Sequence, residues 1–365
     1  MKTDFKPFKG LKVLELSSVL AGPLAGSFFA EGGAKVTKVE HPELGDVTRS
    51  WRAKGEVLDG GISAYYAAAN TYKKAIRIDL NSSEGLSWLE DELASTDVLL
   101  QNFKEKDLEK FNLVPKDLAQ RFPNLIHIRL VGFADAPTRL AYDVVVQAET
   151  GYMHMNGSPD GPPLRMPVAL MDVLASDQIK TAALSGLYSR EKGLSGWYSE
   201  VSLEKSGLSA LVNRATNFLM NGDEQNRTGT EHPNIAPYGD ILNLKNGRKV
   251  VLAIGSDKQF EGLCEVLGIF ELSKNNKFLT NSSRVKNRKE LMKKLNFASM
   301  KIENVDALME DLLTKGVPAG VVRPLSEVFA EGNPGHKHLI DEGKIDGRRV
   351  IKPSTVAYFS TVFGK

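Results

Sequence analysis

Short apolar runs, spaced by small-residue or polar stretches, set the rhythm of the first 130 residues. Residues 11–16 (LKVLEL) predict a strand. Residues 22–30 predict a helix rich in small side chains, closed by Gly32-Gly33, and residues 34–40 (AKVTKVE) a second strand. Strand, helix and strand in about 30 residues make a βαβ unit, whose strands run parallel. The rhythm then repeats. Residues 75–80, 97–101 and 124–130 predict strands; residues 83–93, with Ser83 at the N-cap, and 106–111 predict helices. Alternation of this kind predicts an open, mostly parallel α/β sheet with helices on both faces.

Ligands of such sheets bind beyond the carboxyl ends of the strands. Here those ends lead into residues 17–22, 41–52, 102–106 and 131–139. Further along, residues 142–153 predict a helix, 155–165 (MNGSPDGPPLR) a turn region, 173–189 a long helix, 197–203 a strand and 206–220 a helix. The polar stretch 221–239 predicts a linker, and Asn246-Gly247 a hairpin turn within a second region of strands and helices. The expected organisation is a large domain over 1–220, a smaller α+β domain over 221–325, and a return segment over 326–365 that rejoins the large domain.

Composition narrows the class. With 365 residues, 42% hydrophobic and 25% charged, the chain can bury a sizeable core. Lys and Arg number 47 against 45 Asp and Glu, so no global field draws in nucleic acid or an anionic membrane. A single cysteine, Cys264, excludes an intrachain disulfide and fits a reducing, cytoplasmic compartment; its apolar helical context predicts a buried thiol. No signal-peptide pattern and no membrane-length apolar run occurs. Gly22 and Gly26, with Pro23 between them, depart from the dinucleotide fingerprint; no P-loop is present, and the six histidines lack ligand spacing, so no nucleotide cofactor or metal is expected.

One carboxylate stands out. Asp172, in PVALMDVLAS, precedes an apolar-periodic helix. It reads as a helix N-cap, and equally as a nucleophile, since an aspartate at a helix N-terminus is held ionised and can attack a thioester carbonyl. The N–H groups of the turn at 157–163 would serve the resulting oxyanion. Asp143 reads as a cap or a pocket residue, and Tyr142 as a hydrogen-bond donor or a packing group. Basic residues follow several strand ends: His41, Arg49 and Arg52, then Lys73, Lys74 and Arg77, then Lys104, Lys106 and Lys110. Each alone reads as a solvated surface charge; together they suit a ligand with a diphosphate and a further phosphate.

Eight segments in order carry a resemblance: LKVLELSSVLAGPLAGSFFAEGGAKVTKVEHPELGDVTR, NTYKKAIRIDL, LLQNFKEKDLEKFNL, AYDVVVQAETGYM, GPPLRMPVALMDV, EHPNIAPYGD, QFEGLC and GVPAGVVR. Over residues 8–330 the chain resembles the class III (CaiB/BaiF-type) CoA transferases. That group includes formyl-CoA transferase and carnitine CoA-transferase and is related to α-methylacyl-CoA racemase. The resemblance implies catalysis by Asp172 through aspartyl anhydrides and an aspartyl-CoA thioester, with Tyr142 beside it. It implies coenzyme A contacts at Val19, Leu20, Glu40, His41, Thr71, Lys73, Lys74, Asn102, Phe103 and Lys110. Acyl-CoA and a free carboxylic acid would be the substrates, with no tightly bound cofactor. The implied fold is a Rossmann-like large domain plus a small domain, assembled as an interlocked homodimer.

The chain also departs from the family pattern, and the shortened segment over 132–143 motivates a non-catalytic reading. His41 and Lys110 stand where the family often has arginine, and GFADAPTRLAYD is shorter than its family counterpart. No long glycine-rich loop lies between Asn221 and Gly255, which disfavours formyl or oxalate specificity. Tyr142 occupies the place of the racemase histidine and is a poor base near neutrality. Transfer is therefore expected over two alternatives, a racemase with His154 as substitute base and a non-catalytic acyl-CoA-binding protein.

Overall fold

The computed structural model describes residues 6–56, 62–330 and 339–358. Its main sheet contains β1 (Lys12–Leu16), β2 (Lys35–Glu40), β3 (Lys74–Arg77), β4 (Val98–Gln101), β5 (Ile126–Val131) and β6 (Tyr198–Ser202), all parallel, in the order β3-β2-β1-β4-β5-β6. The order reverses between β1 and β4, which opens a crevice beyond their carboxyl ends.

The central strands are apolar on both faces because both faces are covered. Val13, Val98, Leu100, Ile126 and Ile128 pack against the helices Ala21–Glu31 and Leu170–Glu191. Leu14, Leu16 and Leu99 point to the opposite face, under Leu89, Leu93, Leu108 and Leu118 of three other helices. Small side chains let the two long helices approach closely: Ala21, Ala25, Ala175 and Ala183 are all buried. A Cβ on Gly186 would stand 2.6 Å from Ile126 Cγ2.

Several element boundaries differ from the sequence expectation, each for a local reason. The strand expected at 75–80 stops at Arg77, because Asp79 begins a turn in which its carbonyl accepts the Ser82 N–H. Ser82, rather than Ser83, caps the next helix by accepting the Gly85 N–H. The helix expected over 142–153 is broken into Asp143–Glu149 and Tyr152–Met155 by Gly151 at φ +84°. The helix expected over 206–220 divides into Leu203–Ser209 and Val212–Asn221. The helix expected at 173–189 runs from Leu170 to Glu191.

The chain falls into two compact units, Met1–Met153 with Arg165–Glu224 and Pro334–Lys365, and His154–Leu164 with Gln225–Asn333. The second unit has its own antiparallel sheet of β7 (Tyr238–Asn243), β8 (Lys249–Ala253) and β9 (Ala319–Val321), with a core that includes Leu242, Val250, Phe260 and Cys264. Burial pushes the Cys264 thiol up to about 12, so it is an inert packing group. In the first unit the hairpin β10 (Ile340–Ile345) and β11 (Arg348–Pro353) is tied down through Glu31, which accepts from Lys352, Ser354 and Thr355. Among the described residues no helix is long and apolar enough to cross a membrane.

Candidate active site

A cavity of 180 Å³ lies beyond the carboxyl ends of β1, β4 and β5. Its walls include Val19, Asn102, Arg139, Tyr142, Asp143 and Asp172. A second cavity, of 440 Å³, lies past β1 to β4 and includes Glu40, His41, Asp79 and Asn81. Both share Ser18, Asn102, Phe103 and Lys104, so they form neighbouring compartments of one crevice. Residues 17–22, 41–52, 102–106 and 131–139 therefore converge as the strand pattern predicts.

Asp172 is 8% exposed, in the first turn of the Leu170–Glu191 helix rather than at its N-cap. Burial first, and then the charge of Asp143, push its carboxyl up to about 7; the backbone N–H of Ala21, which lines the same cavity, pulls the other way. The sequence expectation of a carboxylate kept in its ordinary range by helix N–H groups is corrected here. Desolvation outweighs the donor and the dipole. The side chain thus sits between two helix starts, its own and that of Ala21–Glu31.

The cap of the Asp172 helix comes from elsewhere. Asp143 Oδ1 accepts the Met171 N–H at 2.7 Å, and Oδ2 accepts from Gln147 Nε2 at 2.6 Å. Gln147 Oε1 in turn accepts the Met166 N–H at 2.8 Å, which fixes the approach to the helix. Asp143 is both cap and cavity wall. Tyr142 is 59% exposed at the cavity rim.

The remaining expected contacts divide into two groups. Val19, Asn102 and Phe103 line the crevice, and Leu20 is the N-cap residue of the helix that starts at Ala21. Val19 has φ +75°, a left-handed conformation that is strained for a β-branched residue. His41 Nδ1 accepts the N–H groups of Glu43 and Leu44 at 3.3 and 3.2 Å, which leaves Nε2 as the other polar edge of a ring that lines the second cavity. Lys110 donates to Asn81, a wall of the second cavity. The Glu40 carboxylate is already engaged by Arg49 Nε at 2.8 Å and Tyr66 OH at 2.6 Å.

Thr71, Lys73 and Lys74 line neither cavity. Thr71 is buried and its hydroxyl donates to Ala67 O at 3.0 Å. Lys73 Nζ gives all three hydrogens inside the protein, to Glu15 Oε2 at 2.7 Å, Pro23 O at 2.7 Å and Asn70 Oδ1 at 3.2 Å. Lys74 begins β3 on the surface. Lys73 therefore has no donor left for a phosphate, and its expected direct contact is corrected to a place behind the crevice. In the turn at 157–163 the Gly161 N–H bonds to Ser158 O at 3.0 Å, so it is not a free donor.

Three features had no strong sequence signal. Ala21 lines the cavity beside Asp172 although nothing in AGPLAG marks it. Arg139 lies with its guanidinium 4.1 Å from the Phe133 ring centre and donates Nη2 to Glu149 at 2.7 Å. Tyr65 is pushed up to about 12 by burial and then by Asp172, Asp143 and Asp46, which puts a protonated phenol in the field of the site.

A family profile described as CoA-transferase family III matches residues 8–361. The chain is 34% identical over 334 residues to the succinate–glutarate CoA-transferase of Agrobacterium fabrum, covering 89% of this chain and 82% of that one. It is 33% identical over 350 residues to the human succinyl-CoA:glutarate CoA-transferase, covering 93% and 77%. A crystal structure of a CaiB/BaiF family protein from Brucella suis superposes with a TM-score of 0.85 at 34% identity, covering 98% of this chain and 93% of that one. With a parallel sheet of the same architecture, a buried carboxylate in its crevice and a profile match along nearly its whole length, the chain belongs to CoA-transferase family III.

Proposed function

We propose that this enzyme moves CoA from an acyl-CoA thioester to a free dicarboxylic acid, with Asp172 as the carboxylate that carries the acyl group and then CoA. The observation that carries the reading is the position of Asp172, buried, facing a cavity and titrating near neutrality. The ionised fraction is poorly solvated and hence a stronger nucleophile than an aspartate in water.

The chemistry closes on itself. Asp172 attacks the thioester carbonyl, and the tetrahedral adduct expels CoA thiolate to leave an acyl–aspartyl anhydride. The thiolate attacks the aspartyl carbonyl, which frees the donor acid and forms an aspartyl-CoA thioester. An acceptor carboxylate attacks that thioester and expels the thiolate, which leaves a second anhydride; the thiolate then attacks the acceptor carbonyl of that anhydride, forms the new acyl-CoA and releases the Asp172 carboxylate. No proton is gained or lost over the cycle. Asn102, Phe103 and the Nε2 edge of His41 would contact the CoA chain and nucleotide, with Lys110 near the far end of the crevice.

The acceptor class rests on two supports. Relatives at 34% and 33% identity are named for succinate and glutarate. Arg139 and Lys104 supply positive charge on the same cavity wall as Asp172, which suits a second carboxylate. The test is exchange of labelled CoA between an acyl-CoA and a panel of acids. Wild type exchanges with dicarboxylic acids, and Asp172→Ala binds acyl-CoA without exchange. Wild-type turnover in that variant would overturn the reading.

The active form we propose is a homodimer. The helix Val212–Asn221 buries none of its residues and exposes Val212, Phe218, Leu219 and Met220, an apolar surface that a second copy would cover.

A further inference from the structure

Two buried lysines hold backbone carbonyls on either side of Ala21, one in the loop before it and one in the first turn of its helix. Lys38 Nζ donates to Ser17 O at 2.7 Å, and Lys73 Nζ to Pro23 O at 2.7 Å. Both ammonium groups meet on one carboxylate, with Glu15 Oε1 3.0 Å from Lys38 and Oε2 2.7 Å from Lys73. Asp46 gives Lys38 a second counter-charge at 3.0 Å. These four side chains are 0–1% exposed. Two cations and two anions leave the cluster formally neutral, so it has no charge to offer a ligand.

Such a cluster is a poor source of stability, since apolar packing of similar volume does as well or better. Its geometry does something packing does not: it fixes backbone carbonyls on both sides of a strained residue. Val19, at φ +75°, lies between the two anchored carbonyls, Ser17 and Pro23. The helix that follows is pressed onto the same carboxylate, because a Cβ on Gly26 would stand 1.9 Å from Glu15 Oε2.

We infer that Glu15, Lys38 and Lys73 are positioning residues that clamp the segment 17–23, so that the Ala21 backbone, which lines the same cavity as Asp172, presents its N–H to that carboxylate. The kinetic part of this inference rests on the proposed role of Asp172; the structural part does not.

Glu15→Gln tests it. A glutamine of the same shape accepts from one ammonium and turns its own NH₂ toward the other, so one end of the clamp opens. In the full-length, ligand-free protein the Asp172 carboxyl is titrated by carbon-13 NMR or infrared difference spectroscopy. Asp143 and Tyr65 are the other described titratable groups in its field. Loss of the Ala21 donor raises the Asp172 titration point; a rise of about one unit above 7 lowers the ionised fraction at pH 7 about fivefold. kcat falls by that factor while KM for acyl-CoA stays within about twofold of wild type.

Electrostatics alone predicts the opposite sign. Removing a buried negative charge leaves the cluster one positive, which would lower the Asp172 titration point. An unchanged or lowered value therefore overturns the inference. Gly26→Ala displaces the Glu15 carboxylate with no change of charge and is expected to give the same upward shift; if Glu15→Gln does not fold cooperatively, this variant decides. The titration needs no turnover, so failure of the transfer reading would appear separately, as absent exchange in wild type.

Discussion

Asp143 accepts the backbone N–H of Met171 at 2.7 Å, so one aspartate caps the helix whose first turn carries the other. The same contact brings the two carboxyl groups into each other's field, and the charge of Asp143 helps to hold Asp172 near neutrality. Support and tuning come from a single side chain.

Asp143→Asn separates the two effects. The amide oxygen still accepts the Met171 N–H, but the negative charge is gone. Asp172 then ionises more easily, and the acid limb of the kcat profile moves below 7 by up to about one unit; the new NH₂ in place of Oδ2 faces the Gln147 Nε2 donor, so the melting temperature falls, though less than in Asp143→Ala. Asp143→Ala also removes the cap and is expected to cost about 1 kcal/mol of stability. Rate profiles and thermal melts of the two variants check this.

The raised carboxyl has a consequence for stability. Because the folded value lies above the unfolded one, stability from this group is fully present below about pH 4 and is lost as pH rises through about 7. Asp172→Asn removes that loss. The variant should be more stable than wild type at pH 8, by on the order of 4 kcal/mol, and about equal to it at pH 4. Equal stability at both pH values would show that the carboxyl titrates in its ordinary range.

Arg139 carries the acceptor prediction. It is half-exposed, stacked on Phe133 and paired with Glu149, so Arg139→Met should fold normally. KM for a dicarboxylic acceptor is expected to rise roughly tenfold or more, the worth of a charge-assisted hydrogen bond, with little change for a monocarboxylic acid. Initial rates with matched acceptor pairs separate the cases; equal effects on both would place the second carboxylate elsewhere.

Much of the fold was legible because local pattern and tertiary role coincide. The alternation that sends Val13 to one face and Leu14 to the other is written in KVLEL, and the small side chains of the next helix announce its close packing. Asp172 was legible as a candidate nucleophile, but its helix start was misplaced because the cap, Asp143, lies 28 residues upstream in sequence. Lys73 was expected as a coenzyme A contact from the resemblance, whereas its partner Glu15 is 58 residues away and captures it inside. Direction of a side chain, and with it the difference between a binding lysine and a buried one, depends on such long-range pairs. The resemblance to known transferases supplied the chemistry that periodicity could not.

The central claim is that Asp172 becomes covalently modified during transfer. The most direct measurement is mass spectrometry of the protein quenched shortly after mixing with acyl-CoA, followed by peptide mapping. The expected result is an acyl or CoA adduct on the peptide that contains Asp172, absent in Asp172→Ala and lost when acceptor acid is added. Turnover with no adduct on that peptide, or with an adduct on another residue, would contradict the account.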